Sequence, residues 1–398
     1  MFNKLTLKDF DLKGKRVLLR VDFNVPLNSN LQITNTKRIR AALPTINYLL
    51  EHEAKVIIIT HLGRPEGKVR PEFSLKPVAE KLGLMLKKPV ILTADVGGTD
   101  TYKYVRTMLE GDIVMMENLR FDPGEEANDI EFANKIASLG DIYVNDAFGT
   151  MHRNHASITR LPEILPSCVG LLVEKELSVL GGAIENPKRP FVVMLGGSKV
   201  KDKISLISRL IDLADVILIG GAMSFTFLCA QGYNVGRSIV EKDKIELAKL
   251  LLEKAKKQDV KFVLPLDHVA TSEFSFSAQA TIVRSDNFPP NLMGMDIGPR
   301  TVRAYKHYIN KAKTIFWNGP MGVVEFQRFA EGTNKLLDAV ANTKAYTIVG
   351  GGDTAKCVEQ AKKQSKINFV STGGGATLAL FEGIGLPGLK AIKERTYE

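Results

Sequence analysis

Short, unbroken runs of apolar and β-branched residues alternate along the chain with longer stretches in which apolar residues recur every three to four positions. Unbroken apolar runs are typical of parallel strands that are covered on both faces, and the longer spacing is typical of amphipathic helices. Ile39, Leu43, Ile46 and Leu50 form one such helical stripe. This alternation predicts an α/β fold. We predict strands at 16–20, 55–59, 112–116, 141–144, 191–194, 215–219, 261–264, 314–316, 345–349 and 368–370.

So many strands exceed what one open sheet usually holds, and we therefore predict two doubly wound, Rossmann-like parallel sheets. The segment 161–166 carries two prolines that interrupt the pattern, and a helical stretch follows from Gly170. Glycines and prolines between 181 and 190 precede the next strand, and a helix bounded by such breakers is typical of a connector between domains. We expect a first domain over 1–170, a connecting helix over 171–186 and a second domain over 187–372.

Composition narrows the class of protein. The 398 residues are 44% hydrophobic and 25% charged, which excludes a disordered, collagen-like or disulfide-scaffold chain. No apolar run approaches the roughly 20 residues that a membrane span needs, and the charged beginning lacks the apolar stretch of a signal peptide. The three cysteines lie far apart and are typical of small buried hydrophobes. We expect a cytoplasmic, reduced protein.

The net charge of +10 attracts anions, and nucleic acid is one alternative. Basic and acidic residues are interleaved, however, and neither an arginine-rich tail nor a basic run spaced by aromatics is present. Small phosphorylated anions fit the charge at least as well.

The predicted strands of the second half end in glycine turns, at 196–197, 220–221, 350–352 and 373–375. Glycine after a strand lets backbone N–H groups approach a phosphate at the start of the next helix, so these turns predict a nucleotide-phosphate site. Tight packing of helix on strand is the alternative explanation. The Walker-type phosphate loop is absent.

The spacing Gly350-x-Gly352-x-x-Ala355 matches a loose dinucleotide pattern, which keeps a nicotinamide dehydrogenase as a second alternative. That pattern also needs an acid at the end of the next strand, and this strand ends in Ser371 and Thr372. The dehydrogenase interpretation is weakened by this difference.

Three charged residues beside the glycine turns have two interpretations each. Asp353 is placed either to contact Mg²⁺ beside bound phosphates or to cap a helix. Lys199 and Lys203 stand four residues apart at the expected start of a helix, where each opposes the helix dipole by roughly 0.3–1 kcal/mol. A bound anion offsets that cost, and a solvated lysine face is the alternative.

The strand ends of the first half carry cationic side chains instead of glycine. Arg38 falls in the first turn of a helix that begins near Asn35 or Thr36, and Arg64, Arg120 and Arg153 follow other strands. Guanidinium groups bind carboxylates and phosphates through paired hydrogen bonds, so these arginines predict a small polyanionic substrate. Surface salt bridges are the alternative.

Histidines near these arginines are weaker signals. His61 stands close to Arg64 and is interpreted as a substrate contact or as a satisfied polar residue. His152 and His155, with Asp146 nearby, hint at a metal, but zinc needs more ligands than this spacing supplies.

Seven short motifs, spread over nearly the whole chain, resemble in sequence and in order those of the phosphoglycerate kinase family. Two segments, 222–227 and 151–152, differ slightly from the commonest sequence of that family, and neither difference replaces a residue on which the resemblance relies. The motifs are RVDFNVP at 20–26, HLGRP at 61–65, ENLRF at 117–121, GGSKVKDK at 196–203, WNGP at 317–320, GGGDT at 350–354 and STGGGA at 371–376.

The resemblance implies a fold in which 373–398 return to the first domain. It implies reversible phosphoryl transfer from 1,3-bisphosphoglycerate to ADP in a closed cleft between the domains, by a monomer whose partners are these small molecules rather than nucleic acid or membrane. The residues it implies for the phosphoglycerate site are Asp22, Asn24, Arg38, His61, Arg64, Arg120 and Arg153. For the nucleotide site they are Lys203, Gly294, Asn318, Glu325, Gly351, Gly352, Asp353 and Thr354, with Asp353 holding Mg²⁺. The catalytic set is Arg38, Lys199, Gly373 and Gly374.

The chemistry of this reaction needs no general base, because in the ATP-consuming direction the nucleophile is a carboxylate that is already ionised at pH 7. Positioning and charge stabilisation then remain as the protein's task. Since the two substrates are assigned to different domains, we predict a hinge near the 170–190 helix and the 371–376 turn.

Overall fold

The computed structural model describes residues 3–395, within which the strands form two parallel sheets and one small antiparallel sheet. The strands are β1 (Arg16–Arg20), β2 (Lys55–Ile59), β3 (Ile91–Leu92), β4 (Ile113–Met115), β5 (Ile142–Asn145), β6 (Ser167–Val169), β7 (Phe191–Leu195), β8 (Val216–Ile219), β9 (Lys261–Val263), β10 (Asp267–Thr271), β11 (Thr281–Arg284), β12 (Met293–Ile297), β13 (Thr314–Asn318), β14 (Tyr346–Gly350) and β15 (Phe369–Val370). The α-helices are α1 (Lys37–Glu51), α2 (Lys76–Leu86), α3 (Thr99–Thr107), α4 (Pro123–Glu126), α5 (Ile130–Ala137), α6 (Leu161–Ile164), α7 (Leu171–Glu185), α8 (Ile204–Ile211), α9 (Met223–Ala230), α10 (Ile245–Lys257), α11 (Pro299–Lys311), α12 (Glu331–Asn342), α13 (Gly352–Gln360), α14 (Gly375–Phe381) and α15 (Pro387–Lys390).

The described chain divides into two units. The first unit comprises the described residues up to Gly181 and those from Gly385 onwards, and the second unit comprises Gly182–Ile384. The expected returning segment 373–398 is therefore split, because α14 belongs to the second unit, where the ring of Phe381 stacks on that of Phe316 with centroids 4.0 Å apart. After Gly385 the chain packs on the first unit, and the Gly388 N–H donates to the Met151 carbonyl at 3.0 Å.

The first unit is built on a parallel sheet with the order β3-β4-β2-β1-β5-β6. Apolar clusters cover both of its faces, which explains why β1 and β2 are unbroken apolar runs. The predicted stripe of α1 lies on one face, with Ile39 and Ile46 fully buried. Burial of each such side chain contributes about 1.5–3 kcal/mol. Strands β2 and β5 both follow β1 in the chain and lie on opposite sides of it, which creates a switch point between β1 and β5.

The second unit repeats this plan with the order β15-β14-β13-β7-β8-β9, again parallel throughout. Its switch point lies between β7 and β13. Ligands of such sheets bind beyond the carboxyl ends of the strands at these points. The predicted α/β fold with two doubly wound parallel sheets is confirmed, and all ten predicted strands are present within one or two residues of their expected bounds.

Helix α7 spans Leu171–Glu185, within one residue of the helix expected over 171–186. It runs through Gly181 and Gly182, with open space where a Gly182 side chain would point. An interior glycine costs a helix only about 1 kcal/mol. The expectation that Lys199 and Lys203 stand on one helix was wrong, because α8 begins at Ile204 after a 3-10 turn at Lys201–Lys203.

Five strands, β3, β6, β10, β11 and β12, went unpredicted. The first two span two and three residues and lie beside prolines. The other three form the small antiparallel sheet of the second unit, in the order β11-β10-β12, and their sequences mix polar and apolar residues. None of the helices within 3–395 combines the length and apolar character needed to cross a membrane.

Candidate active site

Cationic side chains gather in the first unit beyond the carboxyl ends of β1, β2, β4 and β5. Arg38, in the first turn of α1, donates from its Nη1 to the Asp22 Oδ1 at 2.7 Å. Asp22 follows β1, so the contact joins a strand end to a helix start. The Asp22 carboxylate offsets the unfavourable placement of a cation at a helix N-terminus. The Arg38 side chain remains 38% exposed and so accessible to a ligand.

His61 lies at the centre of the arginines. Burial, reinforced by Arg20 and then by Arg120, Arg153 and Arg38, lowers the pKa of His61 well below its ordinary value. The imidazole is therefore neutral at pH 7. Its Nδ1 lies 3.2 Å from the Arg20 Nη2, and because a guanidinium only donates, Nδ1 accepts and the ring proton is assigned to Nε2.

Two loops complete this cluster. The Arg120 Nη1 donates to the Gly63 carbonyl at 2.8 Å, and the Gly63 N–H donates to the Asn24 Oδ1 at 2.9 Å. Arg120 also pairs with Glu126 at 3.0 Å. Arg64 directly follows Gly63, and within the described chain its exposed side chain makes no ion pair.

Several buried polar atoms of the cluster find no partner within residues 3–395. They include the Nε atoms of Arg120 and Arg153 and the Nδ1 of His152. Buried polar atoms in folded proteins are nearly always hydrogen-bonded, so unpartnered ones on one strand-end surface are typical of a ligand site. The structure thus brings Asp22, Asn24, Arg38, His61, Arg120 and Arg153 together at one edge of the sheet.

A buried ionic network that was not predicted from the sequence lies beneath this cluster. Glu125 on α4 is fully buried and accepts from the Ser157 N–H at 2.9 Å and the Ser157 hydroxyl at 2.6 Å. Its carboxylate lies 3.9 Å from the Arg20 guanidinium. Arg20 in turn donates from Nε to the Ser157 Oγ at 2.8 Å and contacts His61. Glu125 therefore supplies a buried negative charge beneath the cationic cluster.

The described residues contain no group of three or more His, Cys, Asp and Glu side chains that is arranged to hold a metal. Asp146 instead holds the start of α7, where its Oδ1 accepts from the Leu172 N–H at 2.9 Å. Burial raises the pKa of Asp146 to about 7. Burial, followed by the nearby arginines, lowers the pKa of His155 to about 4. The metal interpretation of His152 and His155 thus finds no support in the geometry.

The second unit has a cavity of about 300 Å³ beside its glycine turns. Of the expected nucleotide residues, Gly294, Glu325 and Asp353 line it. His268 and Phe225, which sequence reasoning missed, also line it, and their rings lie 4.7 Å apart. Phe225 fills the space beside Gly294, where a side chain would overlap its ring.

The glycines of the turns differ in what surrounds them. A Cβ on Gly196 would overlap the Pro320 carbonyl, and one on Gly319 would overlap that of Gly196. Close backbone packing explains the glycine at 196, and packing together with a φ of +93° explains the one at 319. Gly352 and Gly374 have nothing within 4 Å of the position of a Cβ, and they stand at the starts of α13 and α14. These two positions are the ones that leave a helix start accessible to phosphate.

Hydrogen bonds connect these turns to one another, and they come from Lys203, Asn318 and Thr354. The Lys203 Nζ donates to the Gly196 carbonyl at 2.6 Å, and the Asn318 Nδ2 donates to the Gly350 carbonyl at 3.0 Å. The Thr354 hydroxyl accepts from the Gly319 N–H at 2.7 Å. Gly351 precedes α13 with φ of +90°, a conformation that glycine adopts without strain.

The remaining expected residues have contrasting surroundings. Asp353 lies in the first turn of α13 with its side chain 74% exposed, and Gly351 rather than Asp353 occupies the cap position. Lys199 is exposed, whereas Gly373 is buried and its N–H donates to the Ser371 hydroxyl at 3.1 Å. Of the four expected catalytic residues, Arg38 belongs to the first unit and the other three to the second.

Comparison with known proteins identifies the family of the chain. The family model described as phosphoglycerate kinase matches residues 7–384. The phosphoglycerate kinase of Prosthecochloris aestuarii is 51% identical over 395 residues, covering 98% of this chain and all of that protein. That of Clostridium kluyveri is 48% identical over 398 residues, covering 99% of this chain and all of that protein.

Solved structures match over the same length. The structure of phosphoglycerate kinase from Coxiella burnetii shares 41% identity with a TM-score of 0.88, and that from Pyrococcus horikoshii shares 32% with a TM-score of 0.80; both comparisons cover 98% of each chain. The chain belongs to the phosphoglycerate kinase family.

Proposed function

We propose that the chain transfers a phosphoryl group reversibly between 1,3-bisphosphoglycerate and ADP, with the phosphoglycerate held by the first unit and the nucleotide by the second. The observation that carries this division is the contrast between the strand ends of the two sheets. One edge presents guanidinium groups and buried donors without partners, and the other presents a cavity beside open helix starts. This proposal replaces the two alternatives raised by the sequence, a nicotinamide dehydrogenase and a nucleic-acid binder.

The first-unit cluster suits 3-phosphoglycerate because that molecule carries a carboxylate and a phosphate. Arg120 and Arg153 have buried donors without partners, and neutral His61 offers its Nε2 proton. A neutral histidine donates a hydrogen bond without taking the proton of the substrate. This agrees with a reaction in which an ionised carboxylate attacks directly and needs no base.

The second-unit cavity suits a nucleoside diphosphate because its volume and its glycine edge accept a purine and a phosphate chain. The open start of α13 at Gly352 presents backbone N–H groups toward the phosphates. The Lys203 Nζ donates to the Gly196 carbonyl beside the same turns, and we assign it to the phosphates of the nucleotide.

Mg²⁺ fits the residues present, since it takes one or two carboxylates together with phosphate oxygens. Asp353 lines the cavity, is exposed, and within the described chain forms only a long contact of 3.7 Å with Lys356. Asp353 would hold the ion, which when bound neutralises phosphate charge.

We assign stabilisation of the transferring group to Arg38 and Lys199, with the N–H of Gly374 adding a fixed dipole. Two unit charges 4 Å apart interact by about 4 kcal/mol at an effective dielectric constant near 20. Transfer requires that the ligands of the two units meet, and a hinge is therefore part of the proposal. The monomeric state and the cytoplasmic location also remain predictions.

The test is a coupled assay with 3-phosphoglycerate, ATP and Mg²⁺, applied to the wild type and to matched pairs of variants. Arg38→Ala and Lys199→Ala are expected to lower turnover by about 10³-fold, by analogy with cations that stabilise phosphoryl transfer elsewhere. Arg40→Ala and Lys201→Ala, exposed positions of the same two segments, are expected to retain turnover. Wild-type protein without ADP formation, or losses equal in both pairs, would contradict the proposal.

A further inference from the structure

A second cavity, of about 310 Å³, lies in the second unit and shares no lining residue with the nucleotide cavity. It opens beyond the carboxyl end of β9, the edge strand of the parallel sheet. One wall comes from the end of α9 and the turn after it, at Leu228, Gln231 and Tyr233. The cavity thus lies beyond the carboxyl end of a strand, but at the edge of the sheet and away from its switch point.

The floor of this cavity is apolar. Leu228 and Leu264 are buried at its base, and Phe262 lies half-buried beside them. Tyr233 and Leu266 stand at its rim with 41% and 46% of their surface exposed. This arrangement provides an apolar patch at the base of a cavity that is otherwise lined largely by polar atoms.

The rim carries one excess positive charge. Arg284 and Asp286 neutralise each other, since the Arg284 Nε donates to the Asp286 Oδ1 at 2.7 Å and a second bond joins the same groups. Arg300 makes no close ion pair within residues 3–395, but its charge adds to that of Arg284 in lowering the pKa of Asp286. Its backbone N–H donates to the Asp267 carboxylate at 3.0 Å, which leaves the exposed guanidinium as the group available to a ligand.

Two further polar groups at the rim make no hydrogen bond within the described chain, namely the Tyr233 hydroxyl and the Gln231 amide. Binding sites for small molecules combine an apolar floor with a few polar groups that fix the orientation of the ligand. A guanidinium is suited to a carboxylate or phosphate, because its donors bind both oxygens of such a group.

We propose that this cavity is a second ligand site, which binds a small organic anion made of a flat apolar body and one carboxylate or phosphate group. The apolar body lies on Leu228 and Phe262, and the anionic group faces Arg300. The site is independent of the proposed catalytic function, because none of its lining residues belongs to either catalytic cluster.

The test is isothermal titration calorimetry of the full chain with 2-naphthoate. ADP and 3-phosphoglycerate are present at saturation, so that the probe meets neither of the catalytic sites. We expect saturable binding with one probe per chain. Neutral 2-naphthol, which has the rings without the charge, is expected to bind at least tenfold more weakly, as is inorganic phosphate, which has the charge without the rings.

Matched variants locate the binding. Arg300→Gln is expected to weaken 2-naphthoate binding by about tenfold, whereas Arg303→Gln, an exposed arginine of the same helix, leaves it unchanged. Tyr233→Ala removes part of the rim and is expected to weaken 2-naphthoate binding independently of Arg300. Kinase turnover stays at the wild-type value in all three variants, which shows that they are folded.

Absence of saturable binding by the wild type would overturn the proposal. So would equal affinities of Arg300→Gln and Arg303→Gln, or binding that disappears as ADP or 3-phosphoglycerate is raised. In the last case the probe occupies a catalytic site, and the proposed function survives while the second site does not.

Discussion

Glu125→Gln removes the buried negative charge beneath the cationic cluster with almost no change of shape. The carboxylate lies 3.9 Å from Arg20 and accepts two hydrogen bonds from Ser157. At that distance the charge interaction is about 4 kcal/mol at an effective dielectric constant near 20. Removing one partner of a buried ion pair usually costs about 3–5 kcal/mol, because the other charge is left buried and uncompensated. We therefore expect the free energy of unfolding of the first unit to fall by that amount.

Urea unfolding, followed by two probes, tests whether the free energy of unfolding falls in the first unit. The chain has one tryptophan, Trp317, and it is buried in the second unit. Far-UV circular dichroism reports both units, whereas the fluorescence of Trp317 reports the second. We expect the variant to gain an early transition in circular dichroism that Trp317 does not follow.

An exposed glutamate that also forms an ion pair provides the matched control for Glu125→Gln. Glu163 pairs with Arg160 at 3.1 Å but is 51% exposed, so Glu163→Gln is expected to cost less than about 1 kcal/mol. If Glu125→Gln changes the unfolding free energy by no more than this control, the buried charge does not stabilise the cluster and the reasoning is refuted.

Two further predictions concern a buried acid and a pair of glycines. Burial raises the pKa of Asp146 to about 7, so the folded state holds a proton that the unfolded state releases near pH 4, and stability contributed by this group is lost as the pH rises from about 4 to 7. Asp146→Asn should remove that loss, and urea midpoints measured between pH 5 and 8 should decline less in the variant than in the wild type; parallel declines would contradict the assignment. Gly196→Ala should destabilise the second unit, because the methyl group overlaps the Pro320 carbonyl, whereas Gly352→Ala should leave the Trp317 unfolding midpoint unchanged and raise the KM for ADP. Equal effects of the two substitutions on stability would show that both glycines serve packing alone.

Much of the fold follows from the sequence because the strands of both parallel sheets are buried on both faces. Their residues must be apolar without interruption, as in β2, and such runs are visible without a structure. Strand β10 was missed because it begins with Asp267 and His268, polar residues that are nevertheless buried. The buried Asp267 carboxylate accepts a hydrogen bond from the Thr301 N–H at the start of α11. No pattern in the sequence predicts this contact.

The candidate site was predictable to the extent that strand ends mark ligand positions. His61 and Arg120, which follow strands, were singled out in this way, whereas Arg38 was singled out by its place in the first turn of a helix. Glu125 was missed because it stands next to Glu126 in the sequence, and only the fold makes the first fully buried and leaves the second 41% exposed. Gly196 and Gly352 likewise look alike in sequence, and only their surroundings separate a packing glycine from one that faces open space.

The division of the two substrates between the two units is tested most directly by NMR of the isotope-labelled chain, titrated first with 3-phosphoglycerate and separately with ADP and Mg²⁺. We predict that 3-phosphoglycerate shifts the signals of Arg38, His61 and Arg120, and that the nucleotide shifts those of Gly294, Gly352 and Asp353. Shifts from both ligands that fall on the same unit would contradict the account.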